Sequence, residues 1–423
     1  MTQTTSRDAG AARLGAAGVA VTAATMLTNA LAYLVPVFGA RRLTAGDLGA
    51  LATVLALGAI AAVPGFGLQI AVAAHRARWG ASGTARLGVR TAAVSAVVTL
   101  AAAPVLGVAL RLPVALTLLL AASTFATVLA GRWLGELQGD QRFLRLAGAM
   151  SALAAGRYGG LVVGLVLDRG PVGALLFGTI TGFLVLPLLA RLARPATGPT
   201  PATGAAHGTG AAPGTGATLG AAAGGPAGDA SLTGRHVLTA CGASLAMLVI
   251  SYADLILARQ LLPPDGSGGY AVGAVLTKGA LWAPQVVTVL VLPRLARGDR
   301  RARALALAVI LACGATLVTA AAVAGDLAFR LAGGADYLHL AGEAPLFAAT
   351  GALYAVVFML VNDRVAAGGR WPAAPLWVAT AGLAAAALLV APRTVAGVLT
   401  TALVTAAVTA AVMAWLAFRP ARR

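Results

Sequence analysis

The stretch AVGAVLTKGALWAPQVV, residues 271–287, holds Lys278, the only lysine in a chain whose thirty other cationic side chains are all arginine. It falls within the run 269–292, which carries no other charge. A lysine at the centre of a membrane helix costs roughly 2.5–3.5 kcal/mol to insert, and it normally faces a polar interior rather than lipid. In such a place it can hold an anionic group as a compact, flexible point charge. The plainer alternative is a lysine that snorkels to the surface or pairs with a carboxylate for structural reasons.

Arg157, in LAAGRYGGLVVG, lies equally deep in another apolar run. Gly156, Gly159 and Gly160 around it permit close helix packing, so both a structural partner and a binding role stay open. Asp254 sits about one turn from the end of its own run, where it can pair with nearby Arg259 or take part in proton or sodium coupling. Asn29, Gln69 and Gln285 are uncharged polar residues inside apolar runs, suited either to a binding cavity or to gluing helices together.

Catalysis finds little support. The thirteen acidic residues lie nearly all between the apolar runs, with no paired-aspartate motif, and the four histidines (His75, His207, His236, His339) lack metal-ligand spacing. Cys241 and Cys313 both fall in apolar segments, so neither a disulfide framework nor a Cys/His zinc site is available. No catalytic residue, metal or cofactor is expected.

The elements that must position these residues are membrane helices. The chain is 59% hydrophobic and only 10% charged, against about 25% charged in a soluble domain, and its mean hydropathy is +0.87. A net charge of +18 first suggests nucleic acid, but aromatics make up 5% and the arginines cluster between apolar runs. Topology accounts for them, and no nucleic-acid partner is expected. The bias toward Ala, Gly, Val, Leu and Arg also resembles that of a GC-rich genome. The N-terminal MTQTTSRDAGAAR precedes an apolar run too long for the ~7–15-residue core of a signal peptide, and is expected to lead into an uncleaved first helix.

About twenty apolar residues cross the hydrocarbon core. That ruler gives twelve spans, at 14–38, 48–73, 87–110, 113–134, 146–167, 171–192, 237–258, 269–292, 304–324, 344–361, 373–391 and 394–418. With the N-terminus inside, 22 cationic residues fall at inner loops, tails and helix ends and 7 at outer ones, leaving Arg157 and Lys278 in the bilayer. So strong a bias follows the positive-inside rule. It implies an all-α, multi-pass protein of the cytoplasmic membrane with both termini cytoplasmic. Residues 195–234 form a Gly/Ala/Thr/Pro tract, including His207, that cannot build a core and reads as a flexible cytoplasmic linker. It separates two six-helix lobes, 1–194 and 235–423.

The lobes repeat each other. Ala-Arg-x-Leu occurs at 40–43 and again at 258–261, an offset of 218, while Gly49 meets Gly269 and Pro64 meets Pro284 at an offset of 220. Both copies run from a helix end through an outer loop into a helix broken by proline. Equal, even helix numbers give the lobes one orientation, hence a pseudo-two-fold axis along the membrane normal with a site between them near the midplane.

These residues resemble the polysaccharide-exporter branch of the multidrug/oligosaccharidyl-lipid/polysaccharide flippase superfamily. YADLILARQLLPPDGSGGYAVGAVL, 252–276, carries most of the resemblance, and ELQGDQRF, 136–143, is similar to the turn after the fourth helix of that branch. The chain departs from many relatives in having twelve helices rather than fourteen, and its second-lobe copy of the turn, NDRVAAGGRW at 362–371, keeps only the Gly-Arg-aromatic end. The resemblance implies a flippase, not an enzyme, that moves a polyprenyl-pyrophosphate-linked saccharide by alternating access for envelope polysaccharide synthesis. It also implies lipids, a polysaccharide polymerase or glycosyltransferases as partners, and a central cationic cavity in which Lys278 would serve, with Arg157, Asn29, Gln69 and Gln285 as further candidates. The alternatives are a cation-coupled small-molecule antiporter, which needs an acidic residue such as Asp254, and a non-transporting scaffold for polysaccharide synthesis. A major-facilitator transporter would share the helix count, but the loop HRARWGASGTARLGVR, 75–90, lacks the acidic residue of that family's signature.

Overall fold

The computed structural model describes residues 2–79, 84–194, 234–282, 300–366 and 373–418. The linker reading of 195–234 therefore falls, but for its last residue, outside the described residues, as do Pro284 and Gln285. Among the described residues every regular element is helical. Helix α1 is Thr2–Arg42, α2 Ala45–Ala61, α3 Val63–Trp79, α4 Thr84–Ala109, α5 Val114–Gly139 and α6 Phe143–Ala154. A π-helical turn, Ala155–Gly159, links α6 to α7, Gly160–Val166, and α8 is Gly170–Ala193. After the tract come α9, Gly234–Leu261, α10, Pro264–Trp282, α11, Arg300–Val323, and the short α12, Gly325–Ala332. A 3-10 segment, Ala335–Glu343, then leads into α13, Ala344–Ala366, followed by α14, Ala374–Leu389, and α15, Val395–Phe418.

The chain is a multi-pass membrane protein. Among the described residues, ten helices are long and apolar enough to cross a bilayer. The eleventh expected span appears as the shorter Ala374–Leu389. The eighth is described only as Pro264–Trp282, and its expected remainder lies beyond the described residues. The second span, Ala45–Ala77, breaks between Ala61 and Val63, just before Pro64. Proline there removes a backbone donor and crowds the preceding turn, and Gly65 N–H bonds back to the Ala62 carbonyl at 2.8 Å.

Local chemistry sets the ends. Thr44 caps α2 by accepting from the Asp47 N–H at 3.2 Å. The ELQGDQRF turn closes α5 with Gln141 at φ 55°, and the Asp140 carboxylate receives both Arg76 Nε (2.9 Å) and Nη2 (2.8 Å) from α3.

Two rows of glycine set the packing of the first half. Gly131, Gly135 and Gly139 recur every four residues on α5 and lie against the α3 backbone. A Cβ on Gly135 would stand 2.5 Å from the Gln69 carbonyl oxygen, and one on Gly139 2.8 Å from that of Ala73. Gly156, Gly160 and Gly164 make the same kind of row against α8, with a Gly160 Cβ 2.7 Å from the Phe177 oxygen. Such small-residue stripes replace hydrophobic drive with close van der Waals contact. Gly159, expected to share this role, has nothing within 4 Å of its Cβ position; Gly164 takes its place. The first and second halves meet where the repeat-equivalent helices α2 and α10 pack together, and again along α3 and α9. One apolar cluster, with Leu48 and Ala56 from the first half and Leu255, Tyr270 and Phe347 from the second, runs through the contact.

Candidate functional site

Between the halves lies a cavity of about 290 Å³ walled by α1, α2, α3, α5, the π-helical turn, α9 and α10. Each wall presents one helical face. On α10 the lining residues are Ala271, Ala274, Val275, Lys278 and Trp282, and on α1 they include Asn29, Ala32, Tyr33 and Pro36. These are the i, i+3, i+4, i+7 positions of a single stripe.

Lys278 points into this cavity. Its Nζ donates to the Ser251 carbonyl and stands 3.5 Å from the centroid of the Tyr252 ring. Both contacts suit an ammonium removed from water: a carbonyl dipole and the negative face of an aromatic ring. Arg157 faces the same cavity from the π-helical turn, its Cζ 5.5 Å from the Tyr158 ring centroid. An extra residue in one turn re-aims side chains, and π-bulges are frequent at functional sites. Among the described residues neither cation has a carboxylate within ion-pairing distance. Among the described residues that line the cavity, none is acidic. Asn29, Thr28 and Thr127 add uncharged polar groups, and the Tyr33 hydroxyl, buried beside the cavity, has no hydrogen-bond partner among the described residues. A buried hydroxyl left unsatisfied is rare in a native structure and marks a donor available to something else. The arrangement can hold an anion between two cations, with hydroxyl-bearing and aromatic surfaces beside it.

Of the residues singled out from the sequence, Lys278, Arg157 and Asn29 line the cavity together. Gln69 does not: its Nε2 donates to Gln138 Oε1 at 3.0 Å, a tie between α3 and α5. Gln285 lies outside the described residues. Asp254 is 2% exposed and stands behind the wall, accepting from the Tyr270 hydroxyl at 3.0 Å and from the Leu255 N–H at 2.8 Å. Its expected pairing with Arg259 does not occur. Arg259 donates instead to carbonyls of the first half, Leu110 (3.1 Å), Gly46 (3.0 Å) and Arg111 (3.1 Å). Sequence reading missed Tyr33, Tyr158, Tyr252 and Trp282. Tyr33 and Trp282 lie four residues on from Asn29 and Lys278, on the same stripes, and Tyr158 adjoins Arg157; Tyr252, on α9, gave no such signal.

No family model matches the chain, and no curated protein matches it. Solved structures do. The lipid II flippase MurJ in an inward closed conformation is similar at TM-score 0.65 and 10% identity, covering 94% of this chain and 87% of that one. A multidrug resistance MATE family transporter of the MOP superfamily, in an inward-facing conformation, is similar at TM-score 0.63 and 13% identity, covering 95% and 98%. A MOP superfamily transporter from Pyrococcus furiosus, whose binding pocket is of reverse polarity suggestive of a different function, is similar at TM-score 0.54 and 14% identity, covering 95% of each chain. At these identities what is shared is the fold: the chain has the polytopic helical architecture found in MATE transporters and in MurJ.

Proposed function

We propose that this protein is a flippase that carries an anionic, lipid-linked saccharide across the cytoplasmic membrane by alternating access, the two lobes rocking about the cavity. One observation carries the reading. Lys278 from one half and Arg157 from the other face one cavity, and none of the described residues that line it is acidic. A pyrophosphate is the group such a pair suits, since charge-assisted contacts strengthen where water is excluded. The tyrosines and Trp282 offer faces and hydroxyls to a sugar. The fold shared with a lipid II flippase agrees with this reading, although fold alone does not fix a substrate.

The test uses the purified protein in proteoliposomes with a fluorescent polyprenyl-pyrophosphate-linked hexosamine. Transport is normalised to folded protein. Lys278→Met should lower it about tenfold or more, the loss expected for one charge-assisted contact, and Lys278→Arg should retain more. Unchanged transport in the Met variant would remove Lys278 from the site. A second reading, a cation-coupled antiporter, is favoured by Asp254, a buried carboxylate held by the Tyr270 hydroxyl. It predicts that efflux of a cationic dye depends on Asp254 and survives Lys278→Met. A scaffold predicts that neither cation matters.

A further inference from the structure

We propose that Arg41 and Arg259 are a pseudo-symmetric pair of latches that hold the two halves together at the outer end of the cavity, and that opening to that side requires their release. The inference rests on the alternating-access reading. Its observations are independent of the cavity.

The two arginines occupy the same place in the repeat, Ala40-Arg41-Arg42-Leu43 and Ala258-Arg259-Gln260-Leu261. Each reaches into the opposite half. Arg259, from the second half, donates Nε to the Leu110 carbonyl (3.1 Å), Nη2 to that of Arg111 (3.1 Å) and Nη1 to that of Gly46 (3.0 Å), all in the first half. A further bond from Nη1 to Ser267 Oγ, 3.2 Å, steadies the guanidinium from its own side. Arg41, from the first half, donates Nη2 to the Leu331 carbonyl of the second at 3.2 Å.

The acceptors are related as the donors are. Leu110 and Arg111 follow the last residue of α4, and Leu331 lies in the last turn of α12, just beyond α11. In each half that is the stretch that follows the third span. The positions differ by 221 for Leu110 and Leu331, close to the repeat offset. Carbonyls at a helix C-terminus lack intrahelical partners and carry the negative end of the helix dipole, so a cation is favoured there.

Between the latches the halves touch closely. A Cβ on Gly49 would stand 2.5 Å from Ser267 Oγ, and one on Gly46 3.1 Å from Pro264 Cβ, while Gly268 abuts the Ala45 backbone. Glycine lets the two backbones approach closely there, beside the apolar cluster of Leu48 and Tyr270, and the arginines add the directional bonds that fix the closed arrangement. Arg42, the neighbour of Arg41, behaves differently: it pairs with Asp168 inside its own half at 3.0 Å.

The experiment places spin labels at Leu167→Cys and Leu327→Cys, exposed positions (51% and 56%) on opposite halves at this end. The background is Cys241→Ala/Cys313→Ala, in lipid nanodiscs, and double electron–electron resonance reads the distances. Arg259→Ala should raise the longer-distance population about tenfold over the parent, as expected for losing a bond to a charged group. Arg41→Ala should raise it about two- to threefold and Arg42→Ala not at all. Arg259→Lys, which keeps charge but loses the planar fork, should fall between, and it carries the test if the alanine variant does not fold. Parent-like distances in the folded Arg259 variants would overturn the proposal. The distances are read with no substrate present, so failure of the substrate reading and failure of the latches show separately.

Discussion

Gly131→Ala adds one methyl group where the structure has no room for it. The new Cβ would collide with the Gly65 carbonyl oxygen and lie 3.0 Å from the Gly65 carbonyl carbon and 3.2 Å from its Cα. All three are backbone atoms of α3, so no side chain can swing aside, and α3 must move away from α5. That movement also loosens the contacts of Gly135 with Gln69 and of Gly139 with Ala73, because the three glycines form one row. Overpacking of this kind costs about 1–3 kcal/mol. At ~2–4 °C per kcal/mol for a unit of this size, the apparent melting midpoint should fall by roughly 2–12 °C. Gly148→Ala is the matched control. Its Cβ would meet nothing within 4 Å, so the helix-propensity gain of ~0.5–1 kcal/mol should raise the midpoint slightly. Both variants are melted in the same detergent at one scan rate, since membrane proteins unfold irreversibly and only matched scans compare. The α3–α5 contact also sets the spacing of cavity residues Phe66 and Thr127, so transport by Gly131→Ala should fall at temperatures where the protein is still folded. A Gly131→Ala midpoint at or above that of Gly148→Ala would refute the reasoning, because it would mean the two backbones are not in contact.

Three further outcomes are expected. Tyr270→Phe should lower stability by about 1.5–3 kcal/mol, the loss of a hydrogen bond to a buried carboxylate, checked by the melting midpoint alongside Asp254→Asn, which removes the charge that needs the donor. Arg303→Ala should cost about 3–5 kcal/mol, since it strands Asp363, whose side chain is 3% exposed; Arg42→Ala, whose pair with Asp168 is 44% and 62% exposed, should change the midpoint little. Deleting 205–225 should leave membrane assembly intact, and a reporter fused at Thr215 that is active only outside the membrane would overturn the topology read from arginine placement.

Most of the fold was legible because the bilayer imposes a length and a polarity that the chain must display in sequence. The twelve apolar runs, the break before Pro64 and the packing glycines Gly156 and Gly160 are all local patterns. Partner choice is not local. Gln69 and Gln138 are 69 positions apart, and nothing in either apolar run says that these amides meet rather than face the cavity. Asp254 and Arg259 failed to pair for a nearer reason. Five residues along a helix turn through about 500°, which leaves the two side chains on different faces. Four residues would have brought them together.

The cavity's two cations also answer to the repeat, in a way that neither lobe shows alone. At the offset of 220 that relates Gly49 to Gly269, Lys278 corresponds to Gly58. The first half thus has no side chain where the second has its lysine. That space holds the Arg157 guanidinium: a Cβ on Gly58 would lie 3.4 Å from Arg157 Nη2 and 3.3 Å from Leu120 Cδ1. One half offers its charge from the second span, and the other leaves a gap there that a neighbouring span fills. Gly58→Leu should therefore push Arg157 out and lower normalised transport about as much as Arg157→Leu does, roughly tenfold. Gly58→Lys alone crowds two like charges and should also fail. Combined with Arg157→Gly, it returns one cation to the same place by the second half's own route, and transport should recover well above either single variant. If Gly58→Leu transports like the parent, or the double variant is no better than Arg157→Gly, Gly58 is only a packing residue and the correspondence of the two charges has no part in binding.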